Sequence, residues 1–435
     1  MVSLLSGSSP IVLFNTVIGG LLTLFFLYQA VYVVVSYRGG EVSLPPARRR
    51  HTYAFLIAAH NEEEVIGNLV RSILDQTYPR ELYEVFVVAD ACTDATAERA
   101  REAGAVVWER YDLARKGKSW VMDYGFDRIL REHPGEYEGF FVFDADNILA
   151  PDYVEEMNKA FDMGYLSVTS YRNSKNFASS WVSMGYAVNF VREARYINNA
   201  RMLLGTSCTV SGSGWLVSER VVRGMHGWDF HCMTEDHQFS TFCIANGIRI
   251  GYAPAEFFDE QPVDFRSSWT QRLRWAKGFY QVLFSYFGDL VRAMRRGSWA
   301  AYDEFVTLGP ASILTVVMVL ANAAFLRVGW LSGGYLISEA EVSACTVSLV
   351  SSVASTFLVF AAAGAVTVVT ERRHIRCRDP RLLAKAVLSY ALFMISYIPI
   401  NVVALFRRVE WVPTRHSIAV TFADVEGGSE DVVEG

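Results

Sequence analysis

Phe140 to Asn147 reads FFVFDADN. Four large apolar residues run directly into two carboxylates, Asp144 and Asp146, separated only by Ala145. The run is short, rich in Phe and Val, and free of Gly and Pro, which predicts a strand buried on both faces inside a parallel sheet. The carboxylates then stand at the strand's C-terminal end, where open α/β sheets bind ligands. Side chains at i and i+2 of a strand point the same way. Such oxygens suit a hard cation, since Mg²⁺ or Mn²⁺ is commonly held by one or two carboxylates with substrate phosphates and waters. The pair therefore predicts a metal bridged to a diphosphate. Taken alone, the motif is weak evidence and reads more readily as a solvated acidic turn after a strand.

Outward from this stretch, the chain divides by hydropathy. Of its 435 residues, 51% are hydrophobic, and the mean hydropathy is positive. Ile11 to Tyr37, Phe305 to Leu326, Val342 to Thr370 and Ala386 to Phe406 carry no charge, and each is long enough to cross a hydrocarbon core of roughly 30 Å. The net charge of −6 and the absence of a basic stripe argue against a nucleic-acid partner. Six cysteines, Cys92, Cys208, Cys232, Cys243, Cys345 and Cys377, show no paired zinc spacing and read as reduced. Residues 1 to 37 lack Lys and Arg, whereas Arg38, Arg48, Arg49 and Arg50 follow. The positive-inside rule then puts the N-terminus outside and the next domain in the cytoplasm, with the first run as an uncleaved anchor.

Within that domain, residues 52 to 60 read as a first strand, and Asn61 followed by Glu62, Glu63 and Glu64 reads as the capped start of a helix through Leu74. Glu84 to Ala89 is a second strand ending at Asp90; Asp94 and Thr96 open the next helix; Ala105 to Glu109 is a third strand. Gly117-Lys118-Ser119 precedes a helix but is no P-loop, because Asp112 stands where that motif needs its first Gly. Strands and helices alternate, so the predicted fold is a doubly wound α/β domain.

AAHNEEEVI, VVADACTDAT, GKSWVMDYGF, VFDADN, VSGSGWLVSE, TEDHQFS and QRLRW follow one another in this order, with WVPTRH near the tail. The ordered set resembles the membrane-bound family 2 glycosyltransferases, the group of cellulose, chitin and hyaluronan synthases. It implies a GT-A-like nucleotide-sugar-binding domain with flanking transmembrane and interfacial helices. Its expected layout is an anchor (1–40), a cytoplasmic glycosyltransferase domain (41–265), interfacial helices with QRLRW (266–300), transmembrane helices (301–410) and a C-terminal segment (411–435). Carried over by resemblance, Asp90 contacts the uracil or ribose of a UDP-sugar, Lys118 the nucleotide or its diphosphate, Asp144 the nucleotide and Asp146 the metal. Asp236 matches the general base for the acceptor hydroxyl, although a helix cap is its plainer reading. Ser213 and Glu235 join the substrate-binding set. SGSGW reads equally as a sugar contact or as an ordinary tight turn.

QRLRW lies in a helical stretch from Ser268 to about Arg296, where aromatic and basic residues interleave as at a membrane interface. Gln271 and Arg274 share one face with Trp275 adjacent, offering charge to a diphosphate and a stacking platform to a sugar. His231 and His237 read as packing or hydrogen-bonding residues. By resemblance the WVPTRH segment closes over the site, with Trp411, Thr414 and Arg415 near the nucleotide. The acidic, Gly-rich tail reads as disordered. Four crossings would put the C-terminus outside, yet Arg407, Arg408 and Arg415 belong inside; Pro399 makes Ala386 to Phe406 the segment expected to bend without crossing.

The expected function is inverting, Mg²⁺- or Mn²⁺-dependent transfer from a UDP-sugar to a growing glycan by a multi-pass cell-membrane enzyme. Single-sugar transfer to a membrane glycolipid is the alternative. A sugar-nucleotide pyrophosphorylase would need neither TED, QRLRW nor a membrane. A transporter would show intramembrane charges or broken helices in repeat.

Overall fold

The computed structural model describes residues 9–225, 227–410, 416 and 418–427. Helix α1 (Pro10–Gly39) is apolar along its length and leads into an α/β domain. Strands β1 (Tyr53–Ala59), β2 (Tyr83–Asp90), β3 (Val106–Arg110) and β4 (Gly139–Asp144) pair in parallel in the order β3-β2-β1-β4. Helices α2 (Ile66–Leu74), α3 (Thr96–Glu102) and α4 (Lys118–Glu132) make the crossovers. FFVFD is a central strand, as its composition requires. Phe140 and Val142 enter the core on one face of the sheet with Leu56, Phe86 and Phe126. Phe141 and Phe143 enter the other with Phe55, Ile57 and Ile66, which is the two-residue alternation of a doubly buried strand.

The second half of the sheet is mixed, and the simple alternation ends. After β5 (Ile148–Leu149), α5 (Tyr153–Asp162) and β6 (Ser167–Ser174) come α6 (Trp181–Arg192), a π-helical turn (Glu193–Asn198) and α7 (Asn199–Leu203). Then β7 (Trp215–Ser218), α8 (Glu219–Gly224), α9 (Glu235–Ala245) and β8 (Ile250–Asp259) follow. The full order is β3-β2-β1-β4-β7-β6-β8-β5, with β7 antiparallel to both neighbours.

Asn61 corrects one expectation. It adopts φ 56°, and its Oδ1 accepts from Thr93 N at 2.8 Å, tying the loop after β1 to the loop after β2. The helix therefore begins only at Ile66. The next helix opens at Thr96 as read from sequence, with Asp94 Oδ1 accepting from Thr96 N at 3.1 Å.

Helix α10 (Phe265–Arg295) leads through α11 (Trp299–Leu308) to α12 (Pro310–Ser332), α13 (Glu339–Thr370), the short α14 (Arg372–Ile375), α15 (Pro380–Ile395) and α16 (Tyr397–Phe406). Among the described residues, Pro10–Gly39, Trp299–Ser332, Glu339–Thr370 and Pro380–Phe406 are long and apolar enough to cross a membrane. The last of these is broken at Ser396. Arg272 of α10, 1% exposed, donates to Phe393 O at 2.9 Å and to Ser396 Oγ at 2.5 Å, satisfying groups that the break frees. The tail expectation is corrected in part: Phe422–Gly427 is a helix, α17, and its Val425 is buried in a cluster with Ile148 and Phe258. The rest of the acidic tail, residues 428–435, lies outside the described residues.

Candidate active site

The C-terminal ends of β1, β2 and β4 share one edge, because the register sets Ala58 against Asp144 and Ala59 against Ala89. Asp90 and Asp144 thus stand two strands apart, about 10 Å at ordinary strand spacing. Asp90 is buried and paired with Arg110 Nη1 at 2.5 Å, while Arg110 Nη2 donates to Arg115 O at 2.7 Å. Asp144 is paired with Lys118 Nζ at 2.5 Å. Burial opposes the charge on Lys118, but Asp144 and then Glu235 and Asp236 hold its pKa above the usual value.

The turn Ser211–Trp215 joins these groups to the TED segment. Gly212 O accepts from Lys118 Nζ at 2.8 Å, and Gly212 N donates to Asp236 Oδ2. Ser213 Oγ donates to Asn147 Oδ1 and accepts from Asp144 N at 2.8 Å. Gly212 and Gly214 both have φ 67°, in the left-handed region open to Gly. A Cβ on Gly214 would lie 2.2 Å from Phe257. This geometry is that of the tight turn. Glu235 and Asp236 occupy the first turn of α9, where the helix dipole favours anions. Burial, with Asp236 alongside, pushes Glu235 above the usual carboxylate range, against the opposing pull of Lys118.

Asp146 is 2% exposed and accepts from Glu260 N at 3.0 Å and from Asn147 Nδ2 at 3.3 Å. Around it stand residues that sequence reasoning missed. Asp259 binds the Arg172 guanidinium through two of its nitrogens and accepts from Asn147 Nδ2 at 2.9 Å. Glu62, read earlier as a helix-capping acid, meets His416 Nδ1 at 3.0 Å. Glu260 Oε2 accepts from Ile418 N at 3.0 Å, and Lys175 Nζ donates to Ile418 O at 3.0 Å. Burial opposes a charged His416, but the Asp146, Glu62 and Glu260 carboxylates push it up to about 10. The pocket is acid-rich and oxygen-lined, and it already attracts a cation. Among the described residues no three His, Cys, Asp or Glu side chains are grouped to hold a metal unaided. That donor set fits a hard cation that draws its remaining ligands from a diphosphate and water.

QRLRW sits on α10 beside the TED helix. Gly278 of α10 lies so close that a Cβ would meet Thr234 Oγ1 at 2.4 Å. Trp275 packs edge-on to Tyr186 at 5.7 Å and Phe190 at 6.2 Å. Arg274 acts electrostatically on Glu235, and Gln271 Oε1 is buried without a hydrogen-bond partner among the described residues. Arg272, the other Arg of the motif, serves the α15–α16 break. His231 is a packing residue as expected, stacked on Trp120 at 3.5 Å and 2.7 Å from Ser119 Oγ. Trp411, Thr414 and Arg415 lie outside the described residues. His416 and Ile418 beside them lie against the pocket, and the signal was already present in WVPTRH.

The chain matches the sequence model of glycosyltransferase like family 2 over residues 50–278, more than half of its 435 residues. It is 26% identical over 280 residues to a poly-beta-1,6-N-acetyl-D-glucosamine synthase of Staphylococcus epidermidis, covering 63% of this chain and 64% of that protein. It is 26% identical over 238 residues to a beta-monoglucosyldiacylglycerol synthase of Synechocystis sp., covering 53% and 48%. The aligned stretch thus spans about half to two thirds of the length of these curated relatives. The solved structure of a mannosyltransferase from Pyrobaculum calidifontis, in complex with GDP-Man and Mn²⁺, matches with a TM-score of 0.54 at 17% identity, over 78% of this chain and 98% of that one. That likeness establishes the GT-A-like fold.

Proposed function

Because the chain belongs to glycosyltransferase like family 2, we propose that it is an inverting, metal-dependent membrane enzyme that transfers a sugar from a UDP-sugar to a hydroxyl of a growing glycan at the cytoplasmic face. The observation that supports this reading best is the Ser211–Trp215 turn, whose Gly212 holds Asp236 through its N–H and Lys118 through its carbonyl. The candidate base and the candidate diphosphate cation are thus fixed to the backbone of one residue.

In the proposed reaction the acceptor oxygen attacks the anomeric carbon and gives its proton to Asp236, while the bond from that carbon to the diphosphate breaks. Lys118, released from Asp144 or shared with it, faces the charge that develops on the departing diphosphate, and Arg274 adds to the positive field. Asp90, paired with Arg110, would hydrogen-bond the nucleoside. Asp146 would hold Mg²⁺ or Mn²⁺, whose chemistry is to neutralise the diphosphate. Trp275, braced by Tyr186 and Phe190, offers its remaining face to a sugar ring.

The test is nucleotide release from a panel of UDP- and GDP-sugars by purified protein in lipid, with mass analysis of the product. A UDP-sugar is the expected donor and a chain of several sugars the expected product. One added sugar on a lipid would favour the glycolipid reading, and consumption of a nucleoside triphosphate with release of pyrophosphate would overturn both.

A further inference from the structure

His237 follows the candidate base directly in sequence, and its surroundings are not those of a packing residue. It is buried, with its ring edge-on to Phe279 of α10 at 4.5 Å. Its Nδ1 lies 3.6 Å from Glu304 Oε1, an ion contact longer than a hydrogen bond. Glu304 is fully buried and comes from α11, the helix that runs into the second membrane segment. Thr241 Oγ1 donates to the same Glu304 oxygen at 2.9 Å. His237 Nδ1 and Glu304 Oε2 have no hydrogen-bond partner among the described residues. An imperfectly satisfied buried pair costs stability compared with apolar side chains of the same volume, so packing does not account for it.

A second carboxylate acts on His237 electrostatically from another element. Glu193 opens the π-helical turn after α6, one helical turn beyond Phe190, on the face that braces Trp275. Burial pushes Glu193 above the usual carboxylate range, while His237 and Arg172 pull it down. Asp236 of its own helix, Glu304 of α11 and Glu193 of the π turn thus all act electrostatically on His237. Burial opposes its charge, but Glu304, Asp236 and Glu193 together push the imidazole up to about 9.

We propose that His237 is a positioning residue for the transfer: held against Glu304 at the start of α9, it offsets the negative charge of the carboxylates gathered around Asp236 and so supports Asp236 as the base for the acceptor hydroxyl. The inference rests on Asp236 being the base. It also links the base to the helix that enters the membrane.

Charge balance makes the two partners respond in opposite directions, which a purely structural role does not. Removing the imidazolium leaves Asp236, Glu235, Glu193 and Glu304 together, and the cluster takes up a proton at higher pH. Removing Glu304 takes one negative charge away while His237 stays protonated in the acid range. The experiment is the pH profile of nucleotide release for full-length protein in lipid. His237→Gln is expected to move the acidic limb up by about one pH unit, the scale of losing one nearby opposite charge. Glu304→Gln is expected to move it down, and the double variant to bring it back toward the wild-type position. Lower turnover with an unmoved limb in both single variants, or movement in the same direction, overturns the proposal. If His237→Gln does not fold, Glu304→Gln decides alone, and an unmoved or raised limb is the negative result. Asp236→Asn in the same assay separates the premises: wild-type turnover there removes the base, whereas lost turnover with an unmoved His237→Gln limb removes only the positioning role.

Discussion

Asp236 and Asp146 are both carboxylates in one acidic pocket, and what each touches separates their proposed roles. Asp236 accepts from a backbone N–H of the Ser211–Trp215 turn, whereas Asp146 accepts from Glu260 N. Asp236→Asn should therefore leave donor binding nearly intact and lower turnover by roughly 10² or more, the scale of losing a general base. Donor affinity by calorimetry beside single-turnover kinetics would show it. Asp146→Ala should abolish divalent-dependent activity and weaken UDP binding only when metal is present; equal weakening in chelator would make the residue structural. Asp90 and Asp144 were legible as candidates because each ends a recognisable strand, and Lys118 and Asp236 because they stand in motifs that resemble the family's. Glu62, Arg172, Asp259 and Lys175 were not, because their partners are far away in sequence. Asn61 at φ 56° is what frees Glu62 from the helix in which its position had placed it.

Elements carry the next level of precision. The buried strands could be read directly, since runs such as Tyr53–Ala59 and Gly139–Asp144 leave few alternatives to a covered sheet. The antiparallel β7 could not, because a four-residue strand has no pattern long enough to show direction. The close approach of α10 to the TED segment was equally invisible, since Gly278 inside a helix reads as a neutral or weakening residue. In the fold it is a point of close approach between α10 and Thr234. Gly278→Ala should therefore do the opposite of what helix propensity predicts. Its methyl would press on Thr234, and such overpacking costs about 1–3 kcal/mol. It would also displace the start of α9, where Glu235 and Asp236 sit. Thermal melting should fall, and turnover should fall further than donor affinity. A gain in stability with unchanged turnover would mean that the helices separate freely there.

At the scale of the whole molecule, the contacts of the last third of the chain bear on how many times it crosses the membrane. Helices α1, α12 and α13 are pinned together by Asn15 and Asn322, which exchange side-chain hydrogen bonds of 2.8 and 2.7 Å, with Ser348 at 3.2 Å from Asn15. The end of α13 returns to the catalytic domain: Tyr171 donates to Glu371 at 3.0 Å, and Arg376 pairs with Glu256 at 2.7 Å. Beyond α16, His416 and Ile418 are again on that domain, against Glu62 and Glu260. A segment whose two ends rest on the same domain crosses an even number of times. The α15–α16 pair is 16 and 10 residues long, about 24 and 15 Å, each short of a core of roughly 30 Å. It also lies along α6 and α10, with Leu383 and Ala386 packed on Met184 and Val188 and Ile400 and Ala404 on Leu273 and Ala276. We therefore expect three crossings, with α15–α16 lying at the cytoplasmic interface, which also brings Arg407 and Arg408 inside as their charge requires. In a background with the six native cysteines replaced, Tyr335→Cys, in the loop between α12 and α13 and 91% exposed, should react with an impermeant maleimide on intact cells. Ala419→Cys, exposed beside the pocket, should react only after permeabilisation. Labelling of Ala419→Cys from outside would establish a fourth crossing, and His416 would then have no route to Glu62.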